Sequence, residues 1–249
     1  MYEASVQDAA DDARILAELY RRIRKRPARL FREDFCGTFK IASEWVKRTP
    51  QNRALALDID PEPLAYGFET HYSQLKPHQQ KRLAIKQKNV LSKTIPCDLI
   101  GALNFSYWIF KTRTQLIRYF RQVKKSLKKD GLLILDCVGG TEMIEEAVDR
   151  HSYGRGKKRF TYEWRHESYN PITSEGFFSI SFKLKNGKKL DRAFTYDWRV
   201  WTIQEIRECL TEAGFKNSWV YWEQDGPNGE GNGVFKKTEV VHNSPVWLT

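Results

Sequence analysis

Leu30-Phe31-Arg32-Glu33-Asp34-Phe35-Cys36-Gly37-Thr38 is followed, one helix later, by Ala54-Leu55-Ala56-Leu57-Asp58-Ile59-Asp60. The first stretch reads as a short strand entering a tight turn that holds an acid and a glycine. The second reads as an apolar strand ending on a carboxylate. A strand, a glycine turn, a helix and a second acid-tipped strand form the arrangement by which an α/β sheet holds a nucleoside. The glycine lets the backbone approach the ligand, and the carboxylate accepts hydrogen bonds from ribose hydroxyls.

Working outward, residues 3–26 form an amphipathic helix with a stripe of Ala13, Leu16, Leu19, Tyr20 and Ile23, capped by Ser5 or Asp8. It closes in a basic run, Arg21 to Arg26, read as an anionic-ligand patch or a solvated helix end. A leading helix of this kind lies across a ligand mouth, so residues 1–27 are assigned as a lid, with Tyr2 and Gln7 as contact candidates. Helices follow at 39–48, at Pro61 to about Leu75, and at 112–128. Strands fall at 29–33, 53–58, 82–87, 97–104 and 132–138. Strand–helix alternation predicts a doubly wound parallel sheet. Residues 140–200 break the alternation and read as an antiparallel β-rich insert with an Asn186-Gly187 hairpin. Thr202 and Glu205 form a capping box for a late helix that Gly214 stops. Trp219–Trp222 and Pro245–Leu248 are the last two strands, giving seven in all. Asp225–Gly233 between them is a mobile glycine-rich loop whose Gly226, Gly229, Gly231 and Gly233 lack the strand and helix of a phosphate-binding frame.

The 249 residues suffice for one α/β domain carrying an insert. The four cysteines, Cys36, Cys97, Cys137 and Cys209, are too scattered for a zinc site or a disulfide framework, which points to reduced thiols in the cytoplasm. No leader and no membrane-length apolar run is present. The net charge of +11 suggests an anionic partner. Much of it lies on helix 112–128, where Leu116, Phe120, Val123 and Leu127 mark the buried face, leaving the bases on a solvated one. Nucleic acid stays open as a partner.

With these strands placed, residues 28–138 and 202–249 resemble the class I S-adenosylmethionine-dependent methyltransferases. That family carries an acid-x-Gly-x-Gly-x-Gly turn after strand one, and this chain reads Glu33-Asp34-Phe35-Cys36-Gly37-Thr38-Phe39. Phe35 and Phe39 replace the outer glycines, which either narrows the pocket or marks drift in donor binding. Asp58 matches the ribose-binding acid, Ile59 the residue on the adenine face, and Asn89 the adenine-amine acceptor, with Val90 beside it. Ala213-Gly214-Phe215 matches the close of the late helix. The resemblance implies a Rossmann-like methyltransferase fold with S-adenosyl-L-methionine as cofactor and no metal. It implies that Glu33, Cys36 and Gly37 hold the methionine end, with Arg32 toward the donor carboxylate, and that Asn104 and Phe105 close the site.

Methyl transfer from a sulfonium needs positioning and desolvation more than acid–base chemistry, and a base only for a protonated acceptor. Asn104-Phe105-Ser106-Tyr107 has the Asn-x-x-Tyr outline of nitrogen methyltransferases, so Asn104 and Tyr107 are catalytic candidates. In the insert, Thr161-Tyr162-Glu163-Trp164-Arg165 and Thr195-Tyr196-Asp197-Trp198-Arg199 repeat one pattern. Strand alternation puts Phe160, Tyr162, Trp164 and His166 on one face, and likewise Phe194, Tyr196 and Trp198. If the two strands lie close, aromatics pack together and charges pair across them. Tyr162, Trp164 and Trp198 then wall a substrate, Arg199 or Arg165 holds an anionic group, and His166, Tyr162 or Tyr196 is a base. His151 is a further base candidate or a surface histidine. A small-molecule methyltransferase is the leading expectation. The rivals are an RNA or DNA methyltransferase and a non-catalytic module that keeps the fold.

Overall fold

The computed structural model describes residues 1–6, 8–155, 159–226, 231–241 and 247–248. Strands β1 (Leu30–Asp34), β2 (Arg53–Asp58), β3 (Leu83–Gln87), β4 (Cys97–Ala102) and β5 (Leu127–Leu135) form a parallel sheet in the order β3-β2-β1-β4-β5. The order reverses between β1 and β4. Ligands of open α/β sheets sit at such a reversal, beyond the carboxyl ends of the strands. β4 is buried along its whole length, as its near-continuous apolar run requires, with Asp98 buried among its ion-pair partners.

Helices α1 (Tyr2–Val6) and α2 (Ala9–Arg24) replace the expected single leading helix. Asp8 interrupts it by capping α2, its side chain accepting the Asp11 amide. Gln7 lies outside the described residues. Helices α3 (Lys40–Arg48), α4 (Pro61–Thr70) and the short α5 (Pro77–Gln80) connect the first three strands, and α6 (Arg113–Lys125) joins β4 to β5. Ala13, Leu16 and Tyr20 of α2 pack with Trp45 and Val46 of α3 against one side of the sheet. Leu116, Tyr119, Phe120 and Val123 of α6 pack with Ile206 and Cys209 of α7 (Ile203–Glu212) against the other. The predicted Thr202–Glu205 capping box is present.

After the two-residue β6 (Val138–Gly139), the insert forms its own antiparallel sheet from β7 (Ala147–Tyr153), β8 (Phe160–Asn170), β9 (Glu175–Leu184) and β10 (Lys189–Arg199), ordered β10-β9-β8-β7. Gly187, at φ +84°, turns the hairpin between β9 and β10. Among the described residues the main sheet has five hydrogen-bonded strands, not seven. β11 (Tyr221–Asp225) pairs with β12 (Gly231–Lys237) as a separate two-stranded sheet, and β13 (Trp247–Leu248) pairs with β6. Part of the predicted glycine-rich loop is thus strand β12. Its Gly229, and Pro245 and Val246 of the last predicted strand, lie outside the described residues.

The basic surface is partly neutralised from within. Lys111 Nζ pairs with Asp197 at 2.5 Å and Glu175 at 3.3 Å, Arg113 pairs with Glu208 and Glu212, and Lys128 pairs with Asp98. In the basic run that closes α2, Arg24 bonds the Asp130 carbonyl while Arg26, just beyond the helix, bonds Asp98 and Asp130.

Candidate functional site

The turn after β1 keeps a left-handed backbone without its outer glycines. Phe35, Gly37 and Phe39 have φ of 55°, 51° and 48°. A side chain costs roughly 1–2 kcal/mol in this region. Fully burying a phenylalanine returns roughly 1.5–3 kcal/mol; Phe39 is fully buried and Phe35 partly so. Phe35 packs against Phe110 and Tyr119, and the fully buried Phe39 lies over Gly67 and against Phe68. Neither replacement therefore marks a failed turn.

Gly37 has no such ring, and a Cβ built on it meets nothing within 4 Å. Its amide donates to Asp58 Oδ2 at 2.7 Å, joining the glycine turn to the end of β2. Asp58 Oδ1 accepts the Asp60 amide at 2.9 Å. A carboxylate offers about four lone-pair sites, so Asp58 holds the turn and retains acceptors for a ligand. Beside it, Ile59 is 64% exposed, an aliphatic face turned to solvent at the carboxyl edge of the sheet.

Glu33 is buried, and its Oε2 accepts the Ala42 amide at 2.8 Å. It therefore caps the start of α3 and fixes the turn from below. Burial, reinforced by the charges of Asp12, Asp58 and Asp34, pushes its carboxyl up to about 8 against the Ala42 bond. Cys36 is a buried thiol whose pKa burial raises.

Arg32 is displaced from its expected role. Its guanidinium is fully buried, donates to both oxygens of Asp34 at 2.6 and 3.0 Å, and bonds Thr94 Oγ1 and the Val90 carbonyl. A side chain so enclosed cannot reach a donor carboxylate, so it is an internal counter-ion. Tyr119 also donates to Asp34, which burial still lifts to about 6. Asn89 is exposed and its Oδ1 accepts the Leu91 amide, while Val90 is buried.

At the end of β4, Asn104 and Phe105 are both left-handed, with φ of 55° and 54°. Asp136, just beyond β5, holds the pair: its two oxygens accept the Asn104 and Phe105 amides at 2.6 and 3.0 Å. Burial raises Asp136 to about 7. Sequence reading missed this residue, although an acid closing the apolar run Leu132–Leu135 was a signal. Tyr107 is fully buried, its hydroxyl donates to the Asp136 carbonyl, and burial moves its pKa far up. It belongs to the core and neither stacks on a ligand nor titrates as a base.

The insert brings its two echoed segments onto one aromatic face, with β9 between them. Trp164 pairs with Ile180, and Ile180 with Phe194; His166 pairs with Phe178, and Phe178 with Tyr196. Trp164 and Trp198 are 6.3 Å apart, and Trp198 meets Phe105 at 6.4 Å and Trp108 at 5.9 Å. The insert thus seats on the carboxyl end of β4. The echoes do not pair in charge, because β9 separates them. Glu163 pairs with Arg150 and Arg165, and Asp197 with Lys111. Arg199 bonds Glu205 and the Lys111 carbonyl and stacks on Trp201, so it ties the insert to α7 and is not held for an anion. Burial raises the Tyr162 and Tyr196 hydroxyls away from a base's range, and Tyr196 bonds the Tyr2 hydroxyl. His166 is half-buried between Trp164 and Phe178. His151 is exposed and pairs with Asp149.

No protein-family model matches the chain. A protein of Bacillus subtilis (strain 168) named "Putative methyltransferase YqeM" is 23% identical over 192 residues, covering 73% of this chain and 71% of that one. A S-adenosylmethionine-dependent methyltransferase from Clostridium acetobutylicum ATCC 824 superposes with a TM-score of 0.70 at 18% identity, over 99% of this chain and 94% of its own. CalS10, an amino pentose methyltransferase from Micromonospora echinaspora solved with S-adenosylmethionine bound, gives 0.71 at 14% identity, over 99% and 93%. The five-stranded order, the acid-tipped β2 beside a left-handed turn, and these superpositions agree: the chain has the fold of the class I S-adenosylmethionine-dependent methyltransferases.

Proposed function

We propose that this chain is an S-adenosylmethionine-dependent methyltransferase acting on a small molecule. The observation that carries the reading is the 2.7 Å bond from the Gly37 amide to Asp58. It sets an open glycine turn, an acid with spare acceptors and the exposed Ile59 side by side at the strand-order reversal. These residues fit the donor: Asp58 would accept from the ribose hydroxyls, Ile59 would cover one adenine face, and the Gly37 backbone would face the methionine portion. When bound, the donor supplies a methyl group already activated by its sulfonium.

The chain's own work is then positioning and drying the site. Asp136 fixes the Asn104–Phe105 turn at the mouth, and the aromatic face of the insert covers it. Should the acceptor carry a proton, His166 on the aromatic face is the candidate to take it, since burial raises the Tyr196 hydroxyl away from a base's range. CalS10 is described as an amino pentose methyltransferase, which supports a small-molecule acceptor. The internal pairing of Lys111, Arg113 and Lys128 weakens the case for nucleic acid. Four free, buried thiols suit a reducing cytoplasm.

The test is titration calorimetry with S-adenosylmethionine, followed by transfer of labelled methyl to panels of small amines and alcohols, RNA and DNA. Saturable donor binding with label on small molecules is expected. Label on nucleic acid alone would overturn the acceptor assignment, and binding without transfer to any panel would favour the non-catalytic module.

A further inference from the structure

Asn104 and Phe105 are consecutive left-handed residues, and neither is a glycine. Each Cβ crowds the carbonyl that follows it, so the pair is unfavourable on its own. Strain of this kind persists where the surroundings over-determine it, and it collects at functional sites. Here one carboxylate supplies the hold. Asp136 Oδ2 accepts the Asn104 amide at 2.6 Å, and Oδ1 accepts the Phe105 amide at 3.0 Å. The Asp136 carbonyl also accepts the Tyr107 hydroxyl at 2.9 Å, which ties in the short turn Ser106–Ile109 that follows.

Two groups depend on that hold. The Asn104 carboxamide is half-buried at the carboxyl end of β4 and makes no hydrogen bond among the described residues, so it is free for a ligand. The Phe105 ring lies 5.5 Å from Trp108 and 6.4 Å from Trp198, where the insert seats on the sheet.

Gripping both amides takes both oxygens as acceptors. An ionised carboxylate provides them, whereas protonation turns one oxygen into a donor and strands an amide. The titratable groups that face Asp136 are Asp12 on α2, Tyr107 on the short turn, and the neighbouring Cys137. None of these is a cation. Burial therefore raises the Asp136 carboxyl to about 7 against the two amide bonds. The charge that the fold disfavours is the one that the turn requires.

We propose that Asp136 is a positioning residue whose ionised carboxylate builds the end of β4: it locks Asn104 and Phe105 left-handed, presents the Asn104 carboxamide to the donor and seats Phe105 under the insert, and protonation releases the turn. The donor reading enters only in what the carboxamide meets.

Two measurements test this at pH 5.5, 7 and 8.5 on the wild type and on Asp136→Asn, which keeps the shape and one acceptor. The first is exchange protection of the Asn104 and Phe105 amides without ligand, corrected for the intrinsic effect of pH. The second is calorimetry with S-adenosylmethionine. Wild-type protection is expected to fall at least tenfold from pH 8.5 to 5.5, with a midpoint near 7. Donor affinity should weaken with the same midpoint, by up to about thirtyfold at pH 5.5, where only that fraction of a group titrating near 7 stays ionised. In Asp136→Asn both profiles should be flat and sit at the wild type's acidic values. Wild-type protection that ignores pH would overturn the proposal. So would a variant that keeps the wild-type midpoint, since another group such as Asp12 or Glu33 would then be titrating. Weaker donor binding in a variant whose two amides stay protected would also overturn it, because the effect would be direct attraction for a cationic ligand. If the wild type binds no S-adenosylmethionine at any pH, the donor reading fails and the exchange profiles alone decide the lock. If Asp136→Asn does not fold, the wild-type profiles decide: coincident midpoints keep the proposal, and separate ones sink it.

Discussion

The Phe39 ring fills the space that a side chain on Gly67 would need: a Cβ built there stands 2.5 Å from Phe39 Cε1 and 2.5 Å from the Thr38 carbonyl oxygen. A glycine missing from the turn is matched by a glycine present in α4. The bulk has moved from one position to the other, and the backbone of the turn has not.

Gly67→Ala is accordingly expected to destabilise the protein by about 1–3 kcal/mol, the usual cost of forcing a methyl into a packed site. Helix propensity alone predicts a gain of roughly 1 kcal/mol, so the sign of the change in urea denaturation decides between the two. In Phe39→Ala the same substitution should cost less, since only the Thr38 carbonyl then remains in the way.

Asp34→Asn should cost about 3–5 kcal/mol in chemical denaturation, because it leaves the fully buried Arg32 without its counter-charge. A loss under 1 kcal/mol would mean that Arg32 finds solvent. It would then reopen the role toward a donor carboxylate that the sequence suggested for it.

Stability should fall as pH rises between about 4.5 and 8. Burial lifts Glu33 from 4.5 to about 8 and Asp136 from 3.8 to about 7. An acid whose folded pKa is raised binds more protons folded than unfolded. Its contribution is complete below the unfolded pKa and is lost as pH climbs through the folded one. Glu33→Gln keeps an acceptor for the Ala42 amide and removes one titration, so it should flatten the upper part of the profile, measured as unfolding free energy at pH 5, 6.5 and 8. An unchanged slope would contradict the burial of that charge.

Ile59→Ala separates site from scaffold. At 64% exposure the side chain packs little, so stability should stay within about 0.5 kcal/mol. Affinity for S-adenosylmethionine should drop severalfold by calorimetry, and unchanged affinity would remove Ile59 from the adenine face.

Much of this was legible in the chain. Strong periodicity placed β2, α6 and α7 within a few residues, because each buries a regular stripe or run. The place of Asp58, at the end of β2 and bonded to the glycine turn, was legible because an apolar strand ending on a carboxylate follows that turn by one helix. Arg32 was not, since a charged side chain on a strand reads as exposed, and only its position relative to Asp34, Thr94 and Val90 buries it. Tyr107 and Arg199 were misread for the same reason: their partners, Asp136 and Glu205, come from other elements. The five-stranded sheet escaped prediction because Tyr221–Asp225 pairs with β12 and not with the main sheet, a pairing that its own composition does not specify.

The central claim is that Asp58 and the Gly37 turn form a donor site, and calorimetry with S-adenosylmethionine on wild type and Asp58→Ala addresses it most directly. The account predicts saturable binding to the wild-type protein and at least a tenfold loss in the variant, about 1.4 kcal/mol, with the variant still cooperatively folded. Equal affinity in the two proteins, or no binding to the wild type, would contradict it.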